Sequence, residues 1–471
     1  MKYIRLFENH ISYEDFKSSI EFIRPNVSHC IKENEMHYAP YTDPRLIIKF
    51  YVDDASNATF LFNYSYYEGI EEDYARRAID FFEKVEVDGE EISLTSLDSS
   101  EGYYQLSIGE HIVKYTLKNP KVLKNELFTN CKKITSVDVP YSVISIGDYC
   151  FSYCTALTSV VLNENVATIG NGAFDNCRNL TSINIPINAS VSECAFSGCK
   201  SLPSEDNMVY IGTTLIGPTD STLTSYRIKE GTEIITCSAF QNCANLTNIT
   251  IPSSVTSIGY NAFQGCGNLT SVTFEQGSRL TEIKRQAFYG CSGLTRFNSS
   301  TNGECIIPSG VTLIDDYVFD YCYGLTSVVI PSGVTKISCF SSCKNLTSVT
   351  FEQNSQLVEF GYGAFFSCSG LTSIIIPSGV TTIGDYAFSQ CSNLRNITIP
   401  SGVTSISNQA FQYCRNLTRI NVLPVTPPSL GSSVFANTAS TFKIYVPSES
   451  VAAYKAANGW SSYSSKIMAM S

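Results

Sequence analysis

Between residues 120 and 440 the apolar and polar positions repeat one pattern. In Leu246-Thr-Asn-Ile249-Thr-Ile251 apolar side chains alternate with polar ones, which predicts a short strand with one buried face. Pro252 ends it, because proline has no N–H for the next ladder bond. Val255 and Ile258 form a second apolar pair, and Gly259 permits the turn that follows. Ala262 and Phe263 then fill the centre of the coil, and Cys266 closes the corner. The spacing Phe-x-x-Cys marks this corner twelve times, from Phe128/Cys131 to Phe411/Cys414. With 27 Phe and 18 Cys in 471 residues, chance gives about one such pair.

Successive corner Phe lie 21 to 25 residues apart, except for 44 between Phe196 and Phe240 and 31 between Phe288 and Phe319. Phe435 continues the series, with Thr438 in the Cys position. A fixed period near 23 is the mark of a solenoid, here of about fourteen turns if the interval of 44 is two degenerate ones. No single turn can bury its Phe and Ile, so turns stack by parallel strand pairing. Asn207–Gly217 reads as strand, tight turn, strand, and Asn298–Cys305 as an extra polar loop. Insertions in a solenoid map to loops on one face, often the binding face, although surface drift gives the same pattern.

The first 120 residues do not repeat. MKYIRLF predicts a strand, Asn9 caps a helix over Ile11–Ile20, and Ile23–Cys30 and Met36–Tyr38 predict two strands around an acidic turn. Further strands are predicted at Leu46–Val52, Thr59–Tyr64, Val85–Val87, Glu91–Leu94, Tyr103–Ile108 and His111–Leu117, with a short helix around Glu71–Phe82. Asp88-Gly89 is a hairpin signal and Gly109-Glu110 a weaker one. The strands of residues 45–118 resemble an immunoglobulin-like or other small β-sandwich, a spacer leading into the array.

Net charge is −11, and residues 1–120 carry nearly all of it, with 12 basic and 22 acidic side chains. This argues against nucleic-acid binding, which needs clustered Lys and Arg. No run of 18 apolar residues occurs, so no membrane insertion is expected. The opening residues lack a basic head followed by an apolar stretch, so no secretory signal is expected. One Cys per turn has no paired metal-ligand spacing and reads as a column of free buried thiols, suited to assembly in a reducing compartment.

The Ile-Pro strand end, the Ile-Gly turn and the Ala-Phe-x-x-Cys corner together resemble the BspA-like leucine-rich repeats, over residues 120–471. The ending, with Pro427-Pro428, Ile444-Tyr445-Val446-Pro447, Val451-Ala-Ala-Tyr454 and Gly459-Trp460, resembles the terminal cap of such arrays in gut Bacteroidales. That resemblance implies adhesion and protein or glycan binding, not catalysis. Near the start, Pro25-Asn26-Val27-Ser28 and Tyr38-Ala39-Pro40 resemble a leader on virion proteins of tailed phages and prophages of gut Bacteroidales. The expected architecture is mainly β: an attachment module at 1–44, a spacer at 45–118, repeats at 119–422 and a cap at 423–471.

Candidate chemistry is sparse. His occurs four times, always before residue 112, which excludes a His-dependent triad within the array. His29, Cys30 and His37 lack an evident fourth metal ligand, and strand-facing roles suit them better. No cofactor and no metal are expected. Two surfaces are candidates for ligand binding. The first is the outward strand face: Ser271 and Thr273, Ser327 and Val329, Ser348 and Thr350, Ser373 and Ile375, Asn396 and Thr398, Arg419 and Asn421. Stacked, these make a nearly uncharged ribbon of hydroxyls and methyls, although Ser and Thr also form strands without any partner. The second is a tyrosine set near the corner, Tyr149, Tyr153, Tyr289, Tyr321, Tyr386 and Tyr413, with Tyr260, Tyr317 and Tyr362 beside it. Tyr is enriched at recognition surfaces, and it also packs on neighbouring turns.

The expected function is non-enzymatic binding. Three settings fit: a phage or prophage virion protein, such as a tail fibre or surface decoration, docked to the particle through residues 1–44; a BspA-like bacterial surface adhesin; or a scaffold for chemistry in residues 1–118. The expected partners are a protein or glycan of a cell surface and, in the first setting, a virion structural protein. No coiled-coil heptads support a fibre trimer, and homo-oligomerisation stays open.

Overall fold

The computed structural model describes residues 45–53, 59–62, 78–99, 103–299 and 303–470. The chain divides into two units, Met1–Asp43 and Pro44–Ser471. The expected attachment module, with His29, Cys30 and His37, lies outside the described residues.

The second unit is a β-solenoid of about 15 turns with a period of about 23 residues. Each regular turn has a long strand, a short strand and a tight corner. The long strands pair in parallel and in register: Asn248–Ile251 lies on Ser271–Phe274 with Ile249 opposite Val272. The short strands do the same, with Ile235, Ile258 and Ile283 in one row. At the corner, the Phe240 N–H donates to the Ala262 carbonyl at 2.7 Å and the Phe263 N–H to the Ala287 carbonyl at 2.7 Å. At these corners the backbone is thus satisfied by the adjacent turn. Inside, the corner rings stack face to face. Phe240, Phe263 and Phe288 follow one another at 4.9 Å, within 5° of parallel.

The polar repeat residues serve the same ladder. Thr247 and Thr270 each donate a hydroxyl to the backbone carbonyl of the Thr one turn earlier, at 2.8 and 2.9 Å. The column cysteines are free and buried, as the pattern predicts. The array is nevertheless not disulfide-free, since Cys194 and Cys237, both outside the column, are bonded to each other. They link the turn before the 44-residue interval to the turn after it, where the Phe stack is interrupted.

Four features differ from the pattern-based reading. Residues 45–118 are not a separate sandwich. Strands Arg45–Val52, Phe82–Val87, Glu90–Ile92 and Gly109–Leu117 form one sheet with the array strands Ile134–Asp138, Ser159–Val161 and Ser182–Asn184. Arg45–Val52 pairs antiparallel with Ile134–Asp138, and Tyr115 packs edge-on to Phe128 at 5.3 Å. This segment is therefore a cap on the array. It covers a strand edge and apolar end that the first turn would otherwise expose. Second, Gly109-Glu110 is not a turn, because both residues lie in the strand Gly109–Leu117.

Third, the hairpin Met208–Ile211 and Thr214–Pro218 forms as predicted, but it is not surface decoration. Met208 and Leu215 pack into the core on one side, Val209 and Ile216 into the core on the other. Side chains of a strand alternate faces, so the hairpin acts as a wall between the two halves. Fourth, the polar loop after Asn298 returns an extra strand, Glu304–Ile306, which pairs with Arg296–Phe297 and with Ser327–Ile330.

At the far end, helix Val451–Ala456 and the 3-10 turns of Trp460–Lys466 close the core. Trp460 is fully buried against Phe435 and Tyr454, and its Nε1–H donates to the Pro428 carbonyl at 2.7 Å.

Candidate functional site

The strand ribbon is assembled in register. Ser271, Arg296, Glu304, Ser327 and Ser348 form one row, and Ile306, Val329 and Thr350 another. Thr273 lies beside Thr250. The rows then break. Ser373 is not in a strand, and Ile375, 85% exposed, keeps only an isolated bridge to Thr398. Beyond the break, Asn396, Arg419 and Lys443 make one row and Thr398, Asn421 and Tyr445 the next. The ribbon is therefore two ribbons. It is also less neutral than expected, since Arg296 and Glu304 sit within the first and Arg419 and Lys443 within the second. The Arg419 guanidinium lies 4.0 Å from the Tyr445 ring centre, and its Nε donates to Asn421 at 2.9 Å. These contacts hold a cation on the surface in a fixed orientation.

Five of the six tyrosines, all but Tyr289, occupy positions that the sequence pattern did not disclose. In most turns the residues two before and two after the corner Phe have left-handed backbone. Tyr149, Tyr317 and Tyr386 hold the first position, and Tyr153, Tyr321 and Tyr413 the second, with φ between 55° and 64°. Gly172, Gly198, Gly265, Gly290 and Gly363 fill the same positions elsewhere. A bulky residue at positive φ is unusual and carries a steric cost. Their rings differ in surroundings. Tyr289 packs edge-on to Tyr321 at 5.1 Å, and Tyr362 to Tyr386 at 5.6 Å. Tyr149 accepts a hydrogen bond from Asn171 at 2.9 Å. Tyr153 and Tyr413 are exposed.

A shallow open depression of about 590 Å³ lies on this corner face, lined by Ser367, Ser369, Gln390, Ser392, Tyr413 and Arg415. Of these, only Tyr413 was a sequence candidate. A second depression of about 410 Å³ lies beside the buried hairpin, lined among others by Glu205, Tyr210, Arg227, Lys229 and Glu230. Its two cations are already paired: Lys229 with Glu205 at 2.5 Å, and Arg227 with Glu275 at 2.5 Å.

Titratable groups are shifted mainly by burial. Burial pushes the Cys266 and Cys414 thiols up to about 12, and it also raises Cys291, Cys322 and Cys368 well above the ordinary thiol range. Such thiols are poor nucleophiles. Burial also raises the Asp320 carboxyl to about 7, against the opposing pull of the Ser341 N–H at 2.8 Å. His111 is held by Asp88 at Nδ1, 2.7 Å, and by the Ser107 carbonyl at Nε2, 2.9 Å. Burial opposes its charge, but these bonds prevail and its pKa is raised. It ties the Asp88-Gly89 turn to the cap sheet. Among the described residues no three His, Cys, Asp or Glu side chains converge on one point, and no helix is long and apolar enough to cross a membrane.

The sequence matches the BspA type leucine rich repeat region, described as six copies, over residues 111–206, 219–338 and 312–441. That is more than half of the chain, and the chain belongs to this family. No curated protein matches it. Solved structures similar to it include a leucine-rich repeat protein from Bacteroides ovatus, 25% identical, covering 66% of this chain and 94% of that one, with a TM-score of 0.32. A leucine rich cell surface protein from Faecalibacterium prausnitzii is 26% identical, covering 69% and 82%, with a TM-score of 0.32. The pneumococcal vaccine antigen PcpA is 16% identical, covering 74% and 83%, with a TM-score of 0.35.

Proposed function

We propose that this chain is a non-enzymatic recognition protein whose array binds a protein or glycan of a cell surface. The observation that carries this reading is the parallel register of the turns. It places equivalent outward side chains in rows along the solenoid, such as Ser271, Ser327 and Ser348. A repetitive, rigid surface suits recognition of an extended ligand. BspA-type membership supports an adhesive role, and a bacterial cell-surface adhesin is the setting that follows from the family.

A second setting rests on the N-terminal motifs. Pro25-Asn26-Val27-Ser28 and Tyr38-Ala39-Pro40 favour attachment of residues 1–44 to a phage or prophage particle, with the array directed at a bacterial host. Particles induced from the source strain, probed by mass spectrometry, separate the settings. The virion reading expects the full chain on particles and a chain lacking residues 1–44 absent from them. Recovery on cell envelopes and never on particles leaves the adhesin alone.

A further inference from the structure

We propose that the corner depression over the last regular turns holds an acidic oligosaccharide, with an acid group on Arg415. This rests on the recognition reading above and adds a ligand class and a place.

The depression is built from two parallel rows. Ser367, Gln390 and Tyr413 each lie two residues after a corner Phe, all left-handed, with φ of 60°, 62° and 59°. Ser369, Ser392 and Arg415 each follow the column Cys of the same three turns. Repetition of one backbone shape aims the three side chains of a row the same way. The turns beneath are spaced by the Phe365, Phe388 and Phe411 rings, 5.6 and 5.4 Å apart.

The lining groups are free to bind. The Ser369 hydroxyl has a long contact to the Lys344 carbonyl at 3.4 Å. The side chains of Ser367, Gln390, Ser392, Tyr413 and Arg415 have no polar or ring partner among the described residues. Hydroxyls and an amide both donate and accept, as sugar hydroxyls require. The Tyr413 ring, unlike the paired rings of Tyr289 and Tyr386, offers an apolar body to a sugar's C–H face. The depression has no second apolar anchor of the kind that dominates protein interfaces, which favours a glycan over a protein here.

Charge selects an acidic glycan. Between Asp385 and Glu449 the chain contains Arg395, Arg415, Arg419 and Lys443 and no Asp or Glu, whereas the turn that supplies Ser367 and Ser369 carries Glu352 and Glu359; net charge of the whole chain is −11. None of these four cations is in an ion pair within the described structure. The end of the array is therefore locally positive, and Arg415 brings that charge to the depression itself. A guanidinium bonds a carboxylate through two parallel N–H groups.

The test uses the full chain in affinity titrations with polygalacturonate oligosaccharides, neutral pullulan oligosaccharides and polyglutamate. Polygalacturonate is expected to bind, with the other two at least about tenfold weaker. Arg415→Glu and Tyr413→Asn should each weaken polygalacturonate binding by about tenfold or more, while Lys132→Ala, exposed at the opposite end of the array, leaves it unchanged. Asn tolerates left-handed backbone, so Tyr413→Asn removes the ring without straining the corner. No polygalacturonate binding, indifference to both corner substitutions, or equal binding of polyglutamate overturns the proposal. Cell binding by the full chain is measured alongside. Cells bound without polygalacturonate binding would sink the ligand assignment alone, whereas loss of both would sink the recognition reading too.

Discussion

Cys266 donates its thiol hydrogen to the backbone carbonyl of Phe240, one turn earlier, at 3.0 Å. The same oxygen accepts the Cys243 N–H at 3.0 Å, so the corner carbonyl is doubly satisfied. The bond recurs from Cys154 to Phe128 at 3.2 Å, Cys291 to Phe263 at 3.1 Å and Cys414 to Phe388 at 3.1 Å. Cysteine is thus a small apolar residue that fills the corner and also reaches the turn behind it. Cys266→Ala should destabilise the array by about 1–3 kcal/mol, through a sulfur-sized void and the lost bond. Denaturant unfolding checks this, and an unchanged midpoint would contradict it.

The same burial makes the thiols inert. In native protein at pH 8, the fifteen cysteines that are free and buried among the described residues should react with a thiol reagent far more slowly than in denaturant. Counting thiols released by unfolding, before and after reduction, also reports the Cys194–Cys237 bond. Rapid native labelling at the column positions would contradict the packing described.

Asp320 predicts a pH dependence with a defined sign. Folded, its carboxyl keeps the proton to about pH 7; unfolded, it loses it near the ordinary 3.8. Between these values the folded state binds more protons, so its contribution to stability is full below pH 4 and declines as pH rises toward 7. Asp320→Asn keeps an acceptor for the Ser341 N–H and removes the buried charge. It should stabilise the protein above pH 7 by on the order of a few kcal/mol and change little at pH 4. Equal midpoint shifts at both pH values would count against this account.

The C-terminal cap has one spectroscopic reporter. Trp460 is the sole Trp and is fully buried, so native fluorescence should be blue-shifted. Trp460→Ala removes the plug and the bond to Pro428, and should cost about 3–5 kcal/mol. Calorimetry of this variant is expected to show loss beginning at a lower temperature. A transition identical to that of the parent would mean the cap is not coupled to the array.

How much of this was legible in the sequence depends on the range of the interactions. The period was legible, because most turns make the same local demand: a strand ending at proline, a glycine turn, a Phe and a Cys; the degenerate interval between Phe196 and Phe240 left the count at about fourteen turns, where the fold has about 15. The N-terminal sheet was legible as strands but not as a cap, since the pairing of Ile48 with Val137 joins residues far apart in sequence. The burial of Met208, Val209, Leu215 and Ile216 on two opposite faces was written in an unbroken apolar pattern, which looks the same in an exposed hairpin. Among the sites, the strand rows were legible from period two, but their break at Ser373 was not. The left-handed corner positions had a signal in the Gly and Asn of other turns, such as Gly265 and Asn242. The tyrosines that replace them concealed it. Arg415 was missed because it carries no motif; only its neighbours on adjacent turns give it a role.

The central claim is that the outer surface of the array recognises a cell surface, and a binding isotherm of the labelled full chain on intact bacterial and epithelial cells tests it most directly. Two variants accompany the parent: Thr273→Glu with Thr350→Glu on the strand face, and Arg415→Glu with Tyr413→Asn on the corner face. Saturable binding to at least one cell type, reduced about tenfold or more by one variant while both unfold like the parent, is the predicted result. Absence of saturable binding to any cell type, or binding untouched by both variants, would contradict the account.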